Sequence, residues 1–79
     1  MAVDLFLAAT LRQHVNDYDP QKGLCIDVLP GTKIKEVLHR LGIPEGEVKI
    51  IMVNGKHASL DSELEGNERV GLFPAVGGG

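Results

Sequence analysis

Residues 32–44 read TKIKEVLHRLGIP and carry the clearest helical pattern in the chain. Four apolar residues recur at the i, i+3, i+4 and i+7 spacing of one helical face: Ile34, Val37, Leu38 and Leu41. Thr32 stands where an N-cap hydroxyl accepts backbone N–H groups. Gly42 tolerates the left-handed conformation that ends a helix, and Pro44 cannot extend one. The stretch therefore predicts one amphipathic helix whose apolar face needs a sheet to cover it.

Two strand-like segments precede this helix. Residues 3–9 predict a strand with Phe6 facing away from the core, because the odd positions are all aliphatic: Val3, Leu5, Leu7 and Ala9. Residues 24–30, LCIDVLP, predict a second strand with one apolar face formed by Leu24, Ile26 and Val28. The intervening residues 11–23 show no sustained period, which indicates a helical turn or a loop. We expect the two strands to pair as a hairpin.

The stretch EVKIIMV, residues 47–53, follows the helix and is apolar on both faces of a predicted strand. One face would hold Val48, Ile50 and Met52, and the other Ile51 and Val53. Such a strand is expected to be covered on both sides. The pair Asn54-Gly55 then predicts a tight hairpin that returns through a short edge strand, residues 56–58.

The final strand is predicted at residues 70–74, VGLFP, after a loop over residues 59–68. Its period of two places Val70 and Leu72 inward and Phe73 outward, and Pro74 ends regular pairing. One helix cannot cover two sheets. The element order therefore predicts an α+β roll, a mixed sheet of four to five strands packed on one main helix.

Composition narrows the function classes. The chain has 79 residues, which predicts a single small domain, and a net charge of −3 with its basic residues scattered. That charge pattern argues against nucleic acid as a partner. No apolar run is long enough for a membrane span, and the first residues lack the pattern of a secretory signal. We therefore expect a cytoplasmic protein.

The cysteine and the histidines of the chain do not form a pattern typical of a disulfide framework or a metal site. The single Cys25 excludes an internal disulfide framework, and a role in a persulfide relay stays open beside simple packing. The three histidines, His14, His39 and His57, lack ligand-type spacing to each other or to Cys25, so no metal site is expected.

Residues 73–79 read FPAVGGG, and with the element order they carry a family resemblance. The chain resembles the ubiquitin-like β-grasp sulfur carriers MoaD and ThiS over nearly its whole length. The MoaD branch commonly ends F-P-P-V-A-G-G, so Ala75 and Gly77 are departures, and Asn67 stands where the family usually has Asp. An ending V-G-G-G also occurs in ThiS-like chains. The resemblance implies a β-grasp domain over residues 1–74 and a flexible Gly-rich tail over residues 75–79.

The resemblance further implies that the Gly79 carboxylate is adenylated and then converted to a thiocarboxylate. The chain would bind no cofactor, and ATP would be used by an adenylyltransferase of the MoaB, MoeB or ThiF kind. The sulfur acceptor would be a MoaE-like large subunit in molybdopterin or tungstopterin biosynthesis, or a thiazole synthase in thiamine biosynthesis. In this role the protein is a cosubstrate and not an enzyme.

The tail suits that chemistry because glycine lets a backbone enter a narrow active-site channel. Five residues beyond Pro74, extended at about 3.3 Å each, reach about 17 Å, so Gly77, Gly78 and Gly79 would enter the partner's site. A ubiquitin-like modifier joined to lysine through Gly79 is an alternative from another class, and an interaction module with an inert tail is a third. An independent enzyme is the weakest alternative, because no set of acid, base and nucleophile stands out.

A docking face is expected on the side of the sheet away from the helix. The predicted alternation assigns to it Phe6, Ile51, Val53 and Phe73, with Pro74 beside the tail. The acidic run at residues 61–68 is expected to be a solvated loop that helps to steer a basic activating enzyme.

Overall fold

The computed structural model describes residues 2–75, which form seven β-strands, one α-helix and two short 3₁₀ helices. The strands are β1 (Ala2–Leu7), β2 (Leu24–Asp27), β3 (Thr32–Lys33), β4 (Val48–Val53), β5 (Lys56–Ala58), β6 (Glu63–Leu64) and β7 (Arg69–Pro74). The helix α1 spans Ile34–Leu41, and the 3₁₀ helices span Ala9–His14 and Glu45–Glu47. No helix within residues 2–75 is long and apolar enough to cross a membrane.

Five strands form one mixed sheet in the order β2-β1-β7-β4-β5. The central pair, β1 and β7, is parallel, and the other neighbours in the sheet are antiparallel. The expected pairing of the first two strands is present, although a 3₁₀ helix and a loop connect them. The α+β class and the mixed sheet on one main helix are thus confirmed.

Helix α1 ends as its sequence predicts. Gly42 adopts a φ of 74°, and its N–H donates to the carbonyl of His39. The Ile43 N–H reaches back to the Leu38 carbonyl at 2.9 Å, so the last turn closes in the manner of a Schellman motif. Ile43 is then buried against the core, which fixes the angle at which the chain leaves the helix.

The predicted helix start is one residue early. Lys33, not Thr32, is the N-cap, and its backbone N–H donates to the Glu36 carboxylate at 2.7 Å. Thr32 instead pairs with Leu64 in a two-stranded sheet formed by β3 and β6. Its hydroxyl donates to the Leu29 carbonyl at 2.7 Å. Because this pairing joins segments about thirty residues apart in sequence, the local pattern around Thr32 gave no sign of it.

The core lies between α1 and one face of the five-stranded sheet. Strand alternation is confirmed in β1 and β7, whose inward residues are among the most buried. The one exception is Ala9, which is exposed at the start of a 3₁₀ helix with a φ of 49°. The buried apolar residues are Val3, Leu5, Leu7, Leu11, Val28, Ile34, Val37, Leu38, Ile43, Ile51, Leu64, Val70 and Leu72.

The hairpin after β4 follows the prediction. Asn54 and Gly55 both have positive φ, 51° and 82°, as a type I′ turn requires. The Asn54 side-chain oxygen also accepts from the Arg69 N–H at 3.0 Å, and the Asn54 N–H donates to the Arg69 carbonyl at 2.9 Å. The turn is therefore fastened to the start of β7.

The predicted loop over residues 59–68 contains β6 and a turn that is closed by side-chain hydrogen bonds. Leu64 is fully buried beside β3, so the loop contributes to the core. The Glu68 carboxylate accepts from the N–H groups of Glu65 and Gly66 at 2.6 and 2.7 Å. One acidic side chain of this run is thus engaged with the backbone.

Candidate functional site

Strand β7 carries the chain toward its Gly-rich residues from the middle of the sheet. It pairs with β1 on one side and with β4 on the other, and Pro74 stands opposite Val48 at its end. Ala75 follows and is exposed. The predicted tail residues Gly77, Gly78 and Gly79 lie outside the described residues, so their roles stay predictions.

The sheet surface opposite α1, called here the outer face, has an apolar centre. It is formed by Phe6, Ile50, Met52, Gly71 and Phe73, which share one side through the pairing of β1, β7 and β4. Ile50 and Phe73 are opposite each other and are 41% and 40% exposed, an unusual extent for large apolar side chains.

The prediction that Ile51 and Val53 lie on the outer face is wrong. Ile51 pairs with Leu72, which is fully buried, and only 6% of Ile51 is exposed. Val53 packs against the same core. The cause is a register shift between Val48 and Ile50, which changes the face on which the following residues lie. Alternation counted through Val48 therefore does not give one consistent face.

The expectation that β4 is covered on both sides is also wrong within residues 2–75. Its core side packs under α1, whereas Ile50 on the outer face is 41% exposed. Ile50 is adjacent to the exposed Phe73, and a contiguous apolar patch on an open sheet face is a feature of interaction surfaces. The orientation predicted for Phe6 and Phe73 is confirmed, since both lie on the outer face.

A shallow open groove of about 600 Å³ crosses the outer face. Its lining consists of Phe6, Met52, Asn54, Gly55, Arg69 and Gly71. The Phe73 ring packs over Gly71, so that a Cβ at this position would lie 3.2 Å from the ring. The Arg69 guanidinium lies over the Phe6 ring with its central carbon 4.6 Å from the ring centroid. This is cation–π geometry at the edge of an apolar surface.

The sequence prediction missed four outer-face residues, Ile50, Met52, Arg69 and Gly71. The alternation of β7 could have identified Arg69 and Gly71, because both are an even number of residues from Phe73 and so lie on the same face. For Ile50 and Met52 it was hidden by the register shift in β4.

In the described part of the chain, three contacts between basic and acidic side chains join other parts of the fold. His14 contacts Glu47 at 2.7 Å and His39 contacts Glu45 at 2.9 Å, so both histidines meet the 3₁₀ helix that precedes β4. Lys35 pairs with Asp61 at 3.1 Å on the surface. That side-chain hydrogen bond and the charge of Lys35 lower the pKa of Asp61, and the same contacts raise the pKa of Lys35.

Cys25 is exposed on the edge strand β2, opposite Asp4. Within residues 2–75, no three His, Cys, Asp or Glu side chains are grouped so that they could hold a metal ion. A persulfide relay through Cys25 stays an alternative from the sequence alone.

Similar folds occur in solved structures of small proteins. The HVO 2177 protein of Haloferax volcanii is 27% identical, with a TM-score of 0.73 over 100% of this chain and 87% of that chain. Small archaeal modifier protein 1 of the same organism is 18% identical, with a TM-score of 0.71 over 95% of this chain and 98% of that chain. A chain in the complex of subunits 1 and 2 of the molybdopterin-converting factor of Helicobacter pylori is 21% identical, with a TM-score of 0.60 over 100% of both.

These likenesses confirm the ubiquitin-like β-grasp fold that the resemblance to MoaD and ThiS implied. No curated protein matches the chain by sequence. The Mut7-C ubiquitin family matches residues 1–77, nearly the whole length. The chain therefore belongs to the Mut7-C ubiquitin family.

Proposed function

We propose that this protein is a ubiquitin-like sulfur carrier that acts through the carboxylate of Gly79. The observation that supports it most is the position of β7. This central strand, held on both sides, leads through Phe73 and Pro74 into the sequence AVGGG. A firmly held strand followed by glycines presents a carboxylate without nearby side chains, which suits entry into another protein's active site.

The chemistry proposed for Gly79 begins with ATP and an adenylyltransferase of the MoaB, MoeB or ThiF kind. A carboxylate oxygen attacks the α-phosphorus of ATP and pyrophosphate leaves, which gives an acyl adenylate. With hydrosulfide as the sulfur source, sulfur bonds to the carbonyl carbon, AMP leaves and a proton passes to solvent. The product is a thiocarboxylate, and no oxidant or reductant is required.

In this proposal the protein is a cosubstrate of other enzymes. The six residues that line its groove supply no nucleophile or general base, so the groove offers no reaction chemistry of its own. The outer face would instead be the docking surface, with Phe6 and Phe73 retained from the predicted set and the half-buried Pro74 next to Phe73 at the end of β7. Ile50 and Met52 take the places of Ile51 and Val53.

For the sulfur acceptor we propose a MoaE-like large subunit in molybdopterin or tungstopterin biosynthesis. Support comes from the Helicobacter pylori structure, in which subunit 1 and subunit 2 of a molybdopterin-converting factor form a complex. A thiazole synthase in thiamine biosynthesis is the alternative within the same class.

Protein modification is the second candidate function. It is favoured by the similarity to small archaeal modifier protein 1, which shares the fold over 95% of this chain. The activated intermediate would be the same, but a lysine amine would attack the carbonyl carbon and AMP would leave. The product would be an isopeptide and no sulfur would be transferred.

Mass spectrometry of protein isolated from its own cells tests the proposal. Trypsin cleavage after Arg69 releases VGLFPAVGGG, which contains neither methionine nor cysteine, so oxidation of those residues cannot imitate a gain of sulfur. We expect the mass gain of an oxygen-to-sulfur replacement in this peptide, and reaction of the gained atom with a thiol alkylator. A variant that lacks Gly79 is the matched control and should show neither.

Three results would count against sulfur transfer. An unmodified peptide would indicate an inert tail, and a peptide joined to lysine would favour the modifier alternative. A peptide that continues beyond Gly79 would remove the free carboxylate on which both proposals depend.

A further inference from the structure

The edge strand β2 turns part of its main chain away from the sheet. In β1, the Asp4 N–H donates to the residue just before β7, so the even-numbered residues of β1 bond toward β7. The odd-numbered residues of β1 therefore bond to Leu24 and Ile26 of β2. Cys25 lies between these two residues, so its N–H and C=O groups point outward from the sheet, as does the Asp27 N–H.

This open edge is closed at each of its ends. The Gly23 N–H donates to the Asp19 carbonyl at 2.8 Å, and the Arg40 guanidinium donates to the Asp27 carbonyl. Between these two bonds, the outward groups of the exposed Cys25 have no hydrogen-bond partner within residues 2–75. An unpaired edge is a template for one further strand, and the two closed ends set where that strand would lie.

The two sides of this edge differ in chemical character. Leu24 and Ile26 face the core but are only half-buried, so apolar surface is left uncovered at the edge. Cys25 and Asp27 are exposed on the other side, where Asp4 lies opposite Cys25. A strand added here would therefore meet aliphatic side chains on one side and carboxylates on the other.

The two arginines near these carboxylates have other contacts. Arg69 is opposite Asp4 in the β1–β7 pairing, but its guanidinium lies over the Phe6 ring. Arg40 reaches the edge of β2 and donates to the main-chain carbonyl of Asp27. In the part of the chain that the structure describes, neither Asp4 nor Asp27 forms an ion pair, so both carboxylates are open to a cation from outside.

We propose that β2 accepts an extended segment of a partner protein in which basic and aliphatic residues alternate. Successive side chains of a strand point to opposite sides, so the aliphatic ones would cover Leu24 and Ile26 while the basic ones would lie beside Asp27. The net charge of −3 also favours a basic segment. A second copy of the chain is disfavoured, because pairing of β2 with β2 would bring the carboxylates of both copies together.

Amide hydrogen exchange followed by NMR tests this edge. The probe is the peptide acetyl-Val-Lys-Val-Lys-Val-amide, added to the ¹⁵N-labelled full chain. When about nine-tenths of the protein is bound, the Cys25 amide should exchange about tenfold more slowly, because only the free fraction exposes it. The His57 amide, on the opposite edge strand β5, should keep its rate.

Three matched peptides separate strand pairing from general charge attraction. Acetyl-Val-Val-Lys-Lys-Val-amide has the same composition without the alternation, and a fully N-methylated form of the probe keeps the side chains without the N–H donors. Neither should slow exchange at Cys25. Replacement of both lysines of the probe by glutamine should raise the Kd about two- to fivefold, the range of an exposed ion pair.

Variants of the chain test the two contributions separately. Cys25→Pro removes one outward donor without removing a bond of the β1–β2 pairing, so binding should weaken about two- to tenfold, the range of one hydrogen bond. Cys25→Ala keeps the N–H and should bind like the wild type. Asp27→Asn should reduce the preference for lysine over glutamine, whereas Glu63→Gln, on the two-stranded sheet, should retain it. Asp27 and Glu63 are exposed, so their variants keep the test decisive if Cys25→Pro does not fold.

The proposal is overturned if the probe shows no saturable binding, or if the Cys25 amide exchanges equally fast at saturation. Equal protection by the non-alternating or the N-methylated peptide would also overturn it. So would faster exchange at Cys25 on dilution of the protein alone, since a second copy of the chain would then cover the edge. None of these results depends on Gly79, so the mass of the tail decides the sulfur-carrier proposal separately.

Discussion

Ile50 and Ile51 are adjacent residues of the same type on opposite faces of β4, and alanine at each position tests the assignment of the faces. Ile51 is 6% exposed and packs in the core, whereas Ile50 is 41% exposed on the outer face. Both variants lose the same three carbon atoms from the same strand, so intrinsic strand preference contributes equally. The difference between their losses in unfolding free energy therefore reports how deeply each side chain is buried.

The expected magnitudes follow from that burial. Each fully buried carbon is worth about 0.8 kcal/mol. Ile51→Ala also leaves a cavity, so we expect a loss of about 3 to 4 kcal/mol, within the usual range of about 2 to 5 kcal/mol for such changes. Ile50→Ala leaves no closed cavity and should cost about 1 kcal/mol. A domain of this length has a total stability on the order of 4 to 12 kcal/mol, so Ile51→Ala removes a large share.

Equilibrium unfolding in urea measures both losses. With an m-value of about 1 kcal/mol/M, the two midpoints should differ by about 2 M, and the m-values should agree. Equal losses, or a larger loss for Ile50→Ala, would refute the register shift and with it the composition of the outer face. If Ile51→Ala does not fold, the pair Ile51→Val and Ile50→Val gives the same comparison, with about 1 kcal/mol expected for the buried position.

Three further predictions concern other parts of the fold. Gly42→Ala should lower the free energy of unfolding by about 1 kcal/mol, because residue 42 has a φ of 74° and an added Cβ there would have open space around it. The Tm should fall by roughly 4 to 8 °C. Gly46→Ala is the control: Gly46 also lies in open space but has no positive φ, so the Tm should not change. Asp61→Asn should lower stability slightly across neutral pH. Because folding lowers the pKa of Asp61 and raises that of Lys35, the difference in stability between the variant and the wild type should vanish in acid, as the pH falls below the ordinary carboxyl pKa of about 4. It should also vanish in base, as the pH rises above about 10.5. A difference in stability that persists in acid would contradict the pairing. Phe73→Glu should fold normally and abolish binding to the activating enzyme in calorimetry, and unchanged affinity would exclude the outer face as the docking surface.

The parts of the fold that sequence predicts correctly are those determined within a few residues. The end of α1 depends on Gly42 and Ile43, and the turn after β4 depends on Asn54 and Gly55. Each pattern has a local physical cause, a positive φ or a helix-capping bond, which no distant contact is needed to explain.

The parts that sequence predicts wrongly depend on distant pairing. Thr32 is drawn into β3 by Leu64, and the faces of β4 depend on where it shifts register against β7. Alternation in a strand apolar on both sides cannot show which face is inward, because either choice buries aliphatic side chains. The face of Arg69 could be predicted from its parity with Phe73 in β7, but its contact with the Phe6 ring on a different strand could not.

The central position of β7 has a mechanical consequence for anything that pulls on the residues after Pro74. A force along β7 acts perpendicular to the hydrogen bonds that join it to β1 and β4, so it loads these bonds in shear on both sides of the strand. These bonds share the load at the same time, whereas an edge strand such as β5 would be peeled away one bond after another. A partner that pulled on the residues after Pro74 could therefore apply tension without unfolding the domain, and the same arrangement would make this end of the protein a poor starting point for an unfolding motor.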